Sequence, residues 1–149
     1  MEWTKDDFLI TTDKEKIDAL YVHQFLSNSY WAEGIPIETI KQSIEGSLCF
    51  SVVYLNHQVG FARVITDEAT FAYLADVFID ENFRGKGLSK WLMEVIINYP
   101  TLQGLRRFML ATRDAHDLYK QFGFTPLTFT DRWMQIHKPN VYRQPPESV

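Results

Sequence analysis

Apolar positions recur at every second residue through the middle of the chain and at every third or fourth residue on either side of it. Phe8 to Thr12 reads as a short strand. Thr12 or Asp13 can cap a helix over Lys16 to Asn28, whose mostly apolar face is Ile17, Leu20, Tyr21, Gln24 and Phe25. Ser29 to Gly34 is a loop, and Pro36 suits the first turn of a second helix that ends near Gly46. Leu48 to Leu55, Val59 to Thr66 and Thr70 to Asp80 follow as strands, the first two joined by a turn at Asn56 and His57. Three strands in series predict an antiparallel meander.

The period changes after Arg84. Leu88, Trp91, Leu92, Val95, Ile96 and Tyr99 fall on one helix face, and Pro100 stops that helix. Arg107 to Ala111 is a short strand. Ala115, Leu118, Tyr119 and Phe122 make another helical face, closed by Gly123. Phe124 to Phe129 and Trp133 to His137 read as two further strands, an antiparallel pair. The expected architecture is α+β: a mixed, mostly antiparallel central sheet with helices on both faces. No repeat or linker divides it, so residues 1–138 form one domain and 139–149, with three prolines, form a tail.

Composition narrows the class. The 149 residues are 46% apolar and 23% charged, which suits one globular domain and excludes collagen, coiled coil and disorder. Cys49 stands alone, so no internal disulfide exists and a reducing, cytoplasmic setting is expected. The first residues lack the pattern of a signal peptide, and no apolar run of about 18 residues spans a bilayer. Fifteen bases against nineteen acids give a net charge of −4, which argues against nucleic acid or an anionic membrane as partner.

That charge is uneven. Val64 to Phe83 holds five acids and no base, whereas Arg84 to Arg113 holds six bases and one acid. The block is therefore +5 and the remainder −9, which suits a compact anionic ligand or a solvated helix face equally. Within it, Arg84-Gly85-Lys86-Gly87-Leu88-Ser89 stands between an apolar strand and an amphipathic helix. Helix N-termini leave N–H groups unpaired, glycines let phosphate oxygens approach them, and two bases neutralise charge. The string is neither a P-loop nor a dinucleotide fingerprint, because the required glycine and lysine spacings are absent.

With Ala115-His116-Asp117-Leu118-Tyr119-Lys120-Gln121-Phe122-Gly123-Phe124 downstream, the chain resembles the GNAT superfamily of acyl-CoA N-acyltransferases. The first string is similar to that family's Arg/Gln-x-x-Gly-x-Gly/Ala loop, with Ser89 in the last place. The second is similar to its Ala-x-x-Leu-Tyr-x-x-x-Gly-Phe helix. The order of elements matches from Phe8 to about His137.

The resemblance implies acetyl-CoA, or another short acyl-CoA, in a gap between the Asp76 strand and the Arg107 strand. Backbone groups of Val77 and Ile79 would pair with its pantetheine amides, and the amides from Arg84 to Ser89 would hold its diphosphate. Backbone donors at a bulge around Val77 and Phe78 would serve the oxyanion. Thr112 stands where many members carry Asn and can cap the later helix. Tyr119 occupies the general-acid position, or else packs in the core. Asp76 is the expected base, or else a carboxylate paired with Arg63. Tyr30, Trp31, Phe61 and Arg63 are the expected walls of the acceptor pocket, or else a staple holding the loop.

The four histidines show no metal spacing, and no metal is expected. The implied activity is transfer of an acetyl group to a primary amine of a small molecule or peptide, by an enzyme that can be a homodimer. The rival is a non-catalytic acyl-CoA sensor or interaction module.

Overall fold

Six strands lie side by side in the order of the chain. A computed structural model describes residues 1–143. Its strands are β1 (Glu2–Lys5), β2 (Phe8–Thr11), β3 (Leu48–Tyr54), β4 (His57–Thr66), β5 (Phe71–Ile79) and β6 (Arg107–Leu110). They form one sheet in the order β1-β2-β3-β4-β5-β6. Neighbours from β1 to β5 are antiparallel, and β6 runs parallel to β5. A parallel pair needs a crossover, and helix α3 (Leu88–Ile97) supplies it. Helices α1 (Ala19–Leu26) and α2 (Ile37–Glu45) fill the connection from β2 to β3, and α4 (His116–Lys120) follows β6.

The alternation of strand side chains divides the core in two. Phe50, Val52, Ala62, Val64, Ala72 and Leu74 face α3, which answers with Leu88, Leu92, Met93, Val95 and Ile96. Cys49, Phe61 and Phe78 face the other way, onto Val22 and Leu26 of α1 and Ile40 and Ile44 of α2. The expected mixed sheet with helices on both faces is therefore the observed fold.

Several local expectations are corrected. The first helix begins three residues later than expected because Asp18, not Thr12 or Asp13, accepts from the N–H of Tyr21. Asp13 instead caps a separate single turn at Lys14–Lys16. The buried positions of α1 are Val22 and Leu26, while Leu20 is 70% exposed. Spacing alone placed the apolar face one position off. The hairpin turn falls at Leu55 and Asn56, both at positive φ as a primed turn requires, and His57 already belongs to β4. Strand β1 went unread: Glu2–Lys5 has one apolar residue, Trp3, and pairs with β2 across a turn at Asp6.

The largest difference is C-terminal. Neither Phe124–Phe129 nor Trp133–His137 is a strand, and a single helical turn at Thr130–Arg132 lies between them. Both stretches lack a neighbouring strand to supply ladder partners. The expected tail lies partly outside the described residues, and Tyr142 of that stretch packs against the α1–α2 loop.

Gly60 marks the tightest point of the sheet. A Cβ there would lie 2.8 Å from Ile79 Cδ1, 3.0 Å from the Phe78 carbonyl and 3.1 Å from Val52 Cβ. Since one obstacle is backbone, Gly60→Ala is expected to destabilise the fold by about 1–3 kcal/mol through overpacking. Denaturant titration checks this, and an unchanged midpoint would show that β4 and β5 have slack.

Candidate active site

A single extra residue in β5 shapes the site. Between Phe61↔Phe78 and Arg63↔Ala75 the β4–β5 register slips, so Ala62 opposes both Asp76 and Val77. This is a β-bulge, and Asp76 adopts φ +56 within it. The bulge reverses the side-chain alternation. Ala72 and Leu74 face α3 before it, Val77 and Ile79 face the same side after it, and Phe78 turns to the α1 side. It lies one residue earlier than expected, at Asp76 and Val77.

The bulge also ends the parallel pairing. Residues Phe71 to Leu74 are matched to Arg107 to Leu110, and beyond Leu74 the two strands have no partner in each other. A cleft of about 810 Å³ opens there. Of the expected residues it gathers Asp76, Val77, Phe78, Ile79, Arg84, Ser89, Thr112, Tyr119, Tyr30, Trp31 and Arg63 along its walls. Gly85 to Leu88 bridge Arg84 and Ser89, and the Leu88 side chain turns into the core. Phe61 does not reach the cleft. It is fully buried and supports Phe78 from beneath, with ring centroids 6.1 Å apart.

At one end of the cleft the backbone leaves N–H groups unpaired. Gly85 and Gly87 have φ of +80° and +77°, and a Cβ on either would meet nothing within 4 Å. Packing does not require these glycines; the left-handed backbone and the open space above it do. No side chain caps α3, and the N–H groups from Gly85 to Ser89 donate to no backbone carbonyl of the described chain. Arg84 is steadied by its Nε donating to the Ile79 carbonyl at 3.2 Å. The loop therefore fits a diphosphate. The basic block is split in space: Arg84, Lys86 and Lys90 surround the start of α3, while Arg106 and Arg107 lie at the far end of β6.

At the other end, Asp76 is clamped. Its Oδ2 accepts from Arg63 Nε at 2.8 Å and its Oδ1 from Trp31 Nε1 at 2.9 Å. Arg63 also donates to Ser47 Oγ at 3.1 Å. The clamp ties β4, β5 and the α1–α2 loop together.

Tyr119 is 8% exposed, on α4, which Thr112 does not cap as expected. The N-cap is Ala115 with no side-chain cap, and Thr112 Oγ1 accepts from the Ala115 N–H at 3.1 Å in the turn before the helix. The Tyr119 ring meets Phe124 edge to face. Burial raises its phenol above the ordinary value, with Tyr30 and Asp114 adding to the effect, so the hydroxyl keeps its proton. No hydrogen bond from a described residue enters into that shift.

Sequence reasoning missed two contributors. Phe25 stacks flat on Phe78, centroids 3.9 Å apart, and makes the cleft floor. The Arg113 guanidinium lies 3.8 Å from the Tyr30 ring centroid and joins the two walls. Arg113 was visible only as one more base of the positive block. Among the described residues no three His, Cys, Asp or Glu side chains come together as a metal site, and no helix is long and apolar enough to cross a membrane.

A mixed sheet that splays beside a glycine-rich helix start defines the acyl-CoA N-acyltransferase class. The sequence pattern of the acetyltransferase (GNAT) family matches residues 11–124, and the chain belongs to that family of N-acetyltransferases. It is 30% identical to FG08082 of Gibberella zeae, named as an acetyltransferase, over 78% of each chain. The crystal structure of xcc2953 from Xanthomonas campestris pv. campestris, of the GNAT family, superposes with a TM-score of 0.90. The two are 46% identical, over 92% of this chain and 97% of that one. A GNAT family acetyltransferase from Elizabethkingia anophelis, solved with acetyl-CoA bound, shares the fold at 17% identity and a TM-score of 0.63, over 90% of each chain.

The clamp carries the next expected outcome. Arg63 and Asp76 side chains are only 16% and 10% exposed. Asp76→Ala should therefore cost about 3 kcal/mol, because it leaves a largely buried guanidinium without its partner. The Asp76→Ala/Arg63→Ala pair should cost about 1–3 kcal/mol less than the two singles summed. Additive losses in a denaturant double-mutant cycle would show the ion pair to be inert.

Proposed function

We propose that the chain transfers an acetyl group from acetyl-CoA to a primary amine of a small molecule or peptide by direct attack. The observation that carries this is one cleft holding an open diphosphate cradle, an unpaired stretch of β5 and the Tyr119 hydroxyl. The amides of Gly85 to Ser89, with Arg84 and Lys86, bind the diphosphate. Val77 and Ile79 offer backbone groups that β6 leaves unpaired, the Ile79 carbonyl being shared with Arg84 Nε, in the manner of strand addition. Bound acyl-CoA supplies the thioester carbonyl, and N–H groups at the bulge are the donors nearest to hand for its oxyanion. Tyr119 keeps its proton and donates it to the departing thiolate. Tyr119 among the cleft's lining residues favours the enzyme over a bare sensor.

Asp76 enters this reading as a positioning residue. Both of its oxygens already accept hydrogen bonds, from Trp31 and Arg63, so abstraction of the amine proton would compete with the clamp. The proton leaves through water in the cleft. Tyr30, Trp31 and Arg63, with Phe25 as floor, shape the acceptor end.

Acetyl-CoA is expected to stabilise the protein by about 2.7 kcal/mol at 100 times its dissociation constant. Gly87→Glu should abolish that stabilisation, since it places a side chain and a negative charge where the diphosphate belongs. A thermal shift assay reads both, and an unaltered shift in the variant would move the phosphate site elsewhere.

Tyr119→Phe keeps the ring and its contact with Phe124 while removing the hydroxyl. The fold and the acetyl-CoA stabilisation should persist, and kcat for thiol release should fall by about 10²–10⁴. The loss belongs in kcat because the bond strengthens only as thiolate charge develops. Undiminished kcat with a panel of amines would make Tyr119 a packing residue.

A further inference from the structure

The cleft wall carries three arginines and two aspartates: Arg63, Arg84, Arg113, Asp76 and Asp114. Arg63 and Asp76 neutralise each other at 2.8 Å, and Arg84 stands beside the glycine loop with its Nε on the Ile79 carbonyl. Arg113 and Asp114 remain. They are neighbours in the chain, both exposed, between β6 and α4. Among the described residues the ion pairs are Lys16–Glu2, Lys41–Glu38 and Arg63–Asp76, so neither Arg113 nor Asp114 has an ionic partner there.

The posture of Arg113 is specific. Its guanidinium carbon lies 3.8 Å from the Tyr30 ring centroid. Stacking uses the face of the planar group and leaves its edge, where the N–H donors are, unengaged. That edge is the fork that receives a carboxylate through two parallel hydrogen bonds. A guanidinium already held over a ring loses less freedom on binding than one free in solvent.

Its place is the acceptor end of the cleft. Tyr30 meets Trp31 edge to face at 5.0 Å between centroids, and the Trp31 indole donates to Asp76 in the bulge. Arg113 is thus linked through Tyr30 and Trp31 to the point where β5 leaves β6. Tyr30 and Asp114 also lie close enough to Tyr119 to raise its phenol. Two uncommitted charges of opposite sign, on adjacent residues near that hydroxyl, complement a small zwitterion. Arg113 takes the carboxylate, and Asp114 draws in the ammonium. One cation matches the single charge of a carboxylate, whereas a phosphate group brings about two.

We infer that the acceptor is an amino acid, a primary amine with a carboxylate a few bonds away, and that Arg113 selects it by pairing with that carboxylate. The inference rests on the acetyl-transfer reading and narrows it, because a peptide N-terminus carries a neutral amide where the carboxylate belongs. The chemistry is unchanged. The neutral amine nitrogen bonds to the thioester carbon, the C–S bond breaks, and the thiol gains the proton that the nitrogen gives up.

Thiol release from acetyl-CoA tests it with matched pairs: phenylalanine, leucine and β-alanine, each against its own amide. The amide is the less basic amine, because it lacks the negative charge that stabilises the ammonium, so basicity alone favours it. For at least one pair, kcat/KM is expected to be about 10-fold higher for the acid or more, and Arg113→Gln should lower that ratio by about 10-fold. Arg113→Lys keeps the charge without the fork and should fall between the two. Acids no better than their amides would overturn the inference. So would equal losses on both members of a pair in Arg113→Gln, which would make Arg113 a strut for Tyr30. O-Phosphoethanolamine outrunning all three acids would overturn it as well. Calorimetry separates this inference from the reading beneath it. Where no amine releases thiol, acetyl transfer fails, and the N-acetyl acids are compared with the N-acetyl amides as ligands of the CoA-loaded protein. Tighter binding of the acids, lost in Arg113→Gln, upholds carboxylate selection, and equal or absent binding overturns it.

Discussion

The bulge at Asp76 is the constraint from which the cleft follows. One extra residue ends the β5–β6 ladder at Leu74, reverses which face Phe78 and Ile79 present, and aims a carboxylate at the α1–α2 loop. A left-handed backbone at a non-glycine residue costs about 1–2 kcal/mol. Hydrogen bonds to a charged group return about 1.5–3 kcal/mol each, and Asp76 accepts one from Arg63 and one from Trp31. The clamp outweighs the strain, so the bulge is a stable feature of the resting fold. It also explains why an aspartate serves where glycine would relieve the backbone: glycine has nothing to hold Trp31.

The two faces of the sheet divide the work. On the α3 face the packing is aliphatic and closed, and it fixes where the α3 N-terminus meets the end of β5. On the α1 face the contacts are aromatic: Phe25 on Phe78, Phe78 on Phe61 and Tyr21 against Phe78. Rings give a stiff floor at low entropy cost. Above that floor the walls are loop residues, Tyr30 and Trp31 from one side and Arg113 from the other. In the proposed reading, cofactor geometry rests on the rigid face and acceptor geometry on loops.

Much of this was legible in the sequence, for identifiable reasons. The meander from Leu48 to Ile79 and helix α3 carry strong periodicity and clear breakers, so their existence and faces could be read. The loop from Arg84 to Ser89 stood out in the sequence because its two glycines, at positive φ above open space, serve no packing purpose. Strand β1 was invisible because an edge strand with one apolar side chain has no alternation to detect. The α1 face was misplaced because Leu20 fits the period yet points to solvent. The clamp could be anticipated only as a pairing of Arg63 with Asp76. The indole of Trp31 arrives from 45 residues away, and no local pattern encodes that. Arg113 over Tyr30 is non-local in the same way.

The two edges of the sheet show how differently a bare ladder can be treated. At one edge β1 is four residues long, carries a charge at each end in Glu2 and Lys5, and has Glu2 tied to Lys16 at 2.7 Å. Charge and shortness there discourage a further strand. At the other edge β6 has no acid and no proline, and a groove lined by α4 and by Gly123 to Thr128 runs beside it. Such an edge would invite indiscriminate pairing if it stayed bare. Among the described residues Trp133–His137 stay exposed, with Met134 and Ile136 alternating as in a strand. The unguarded edge is thus the one that adjoins the helix carrying Tyr119.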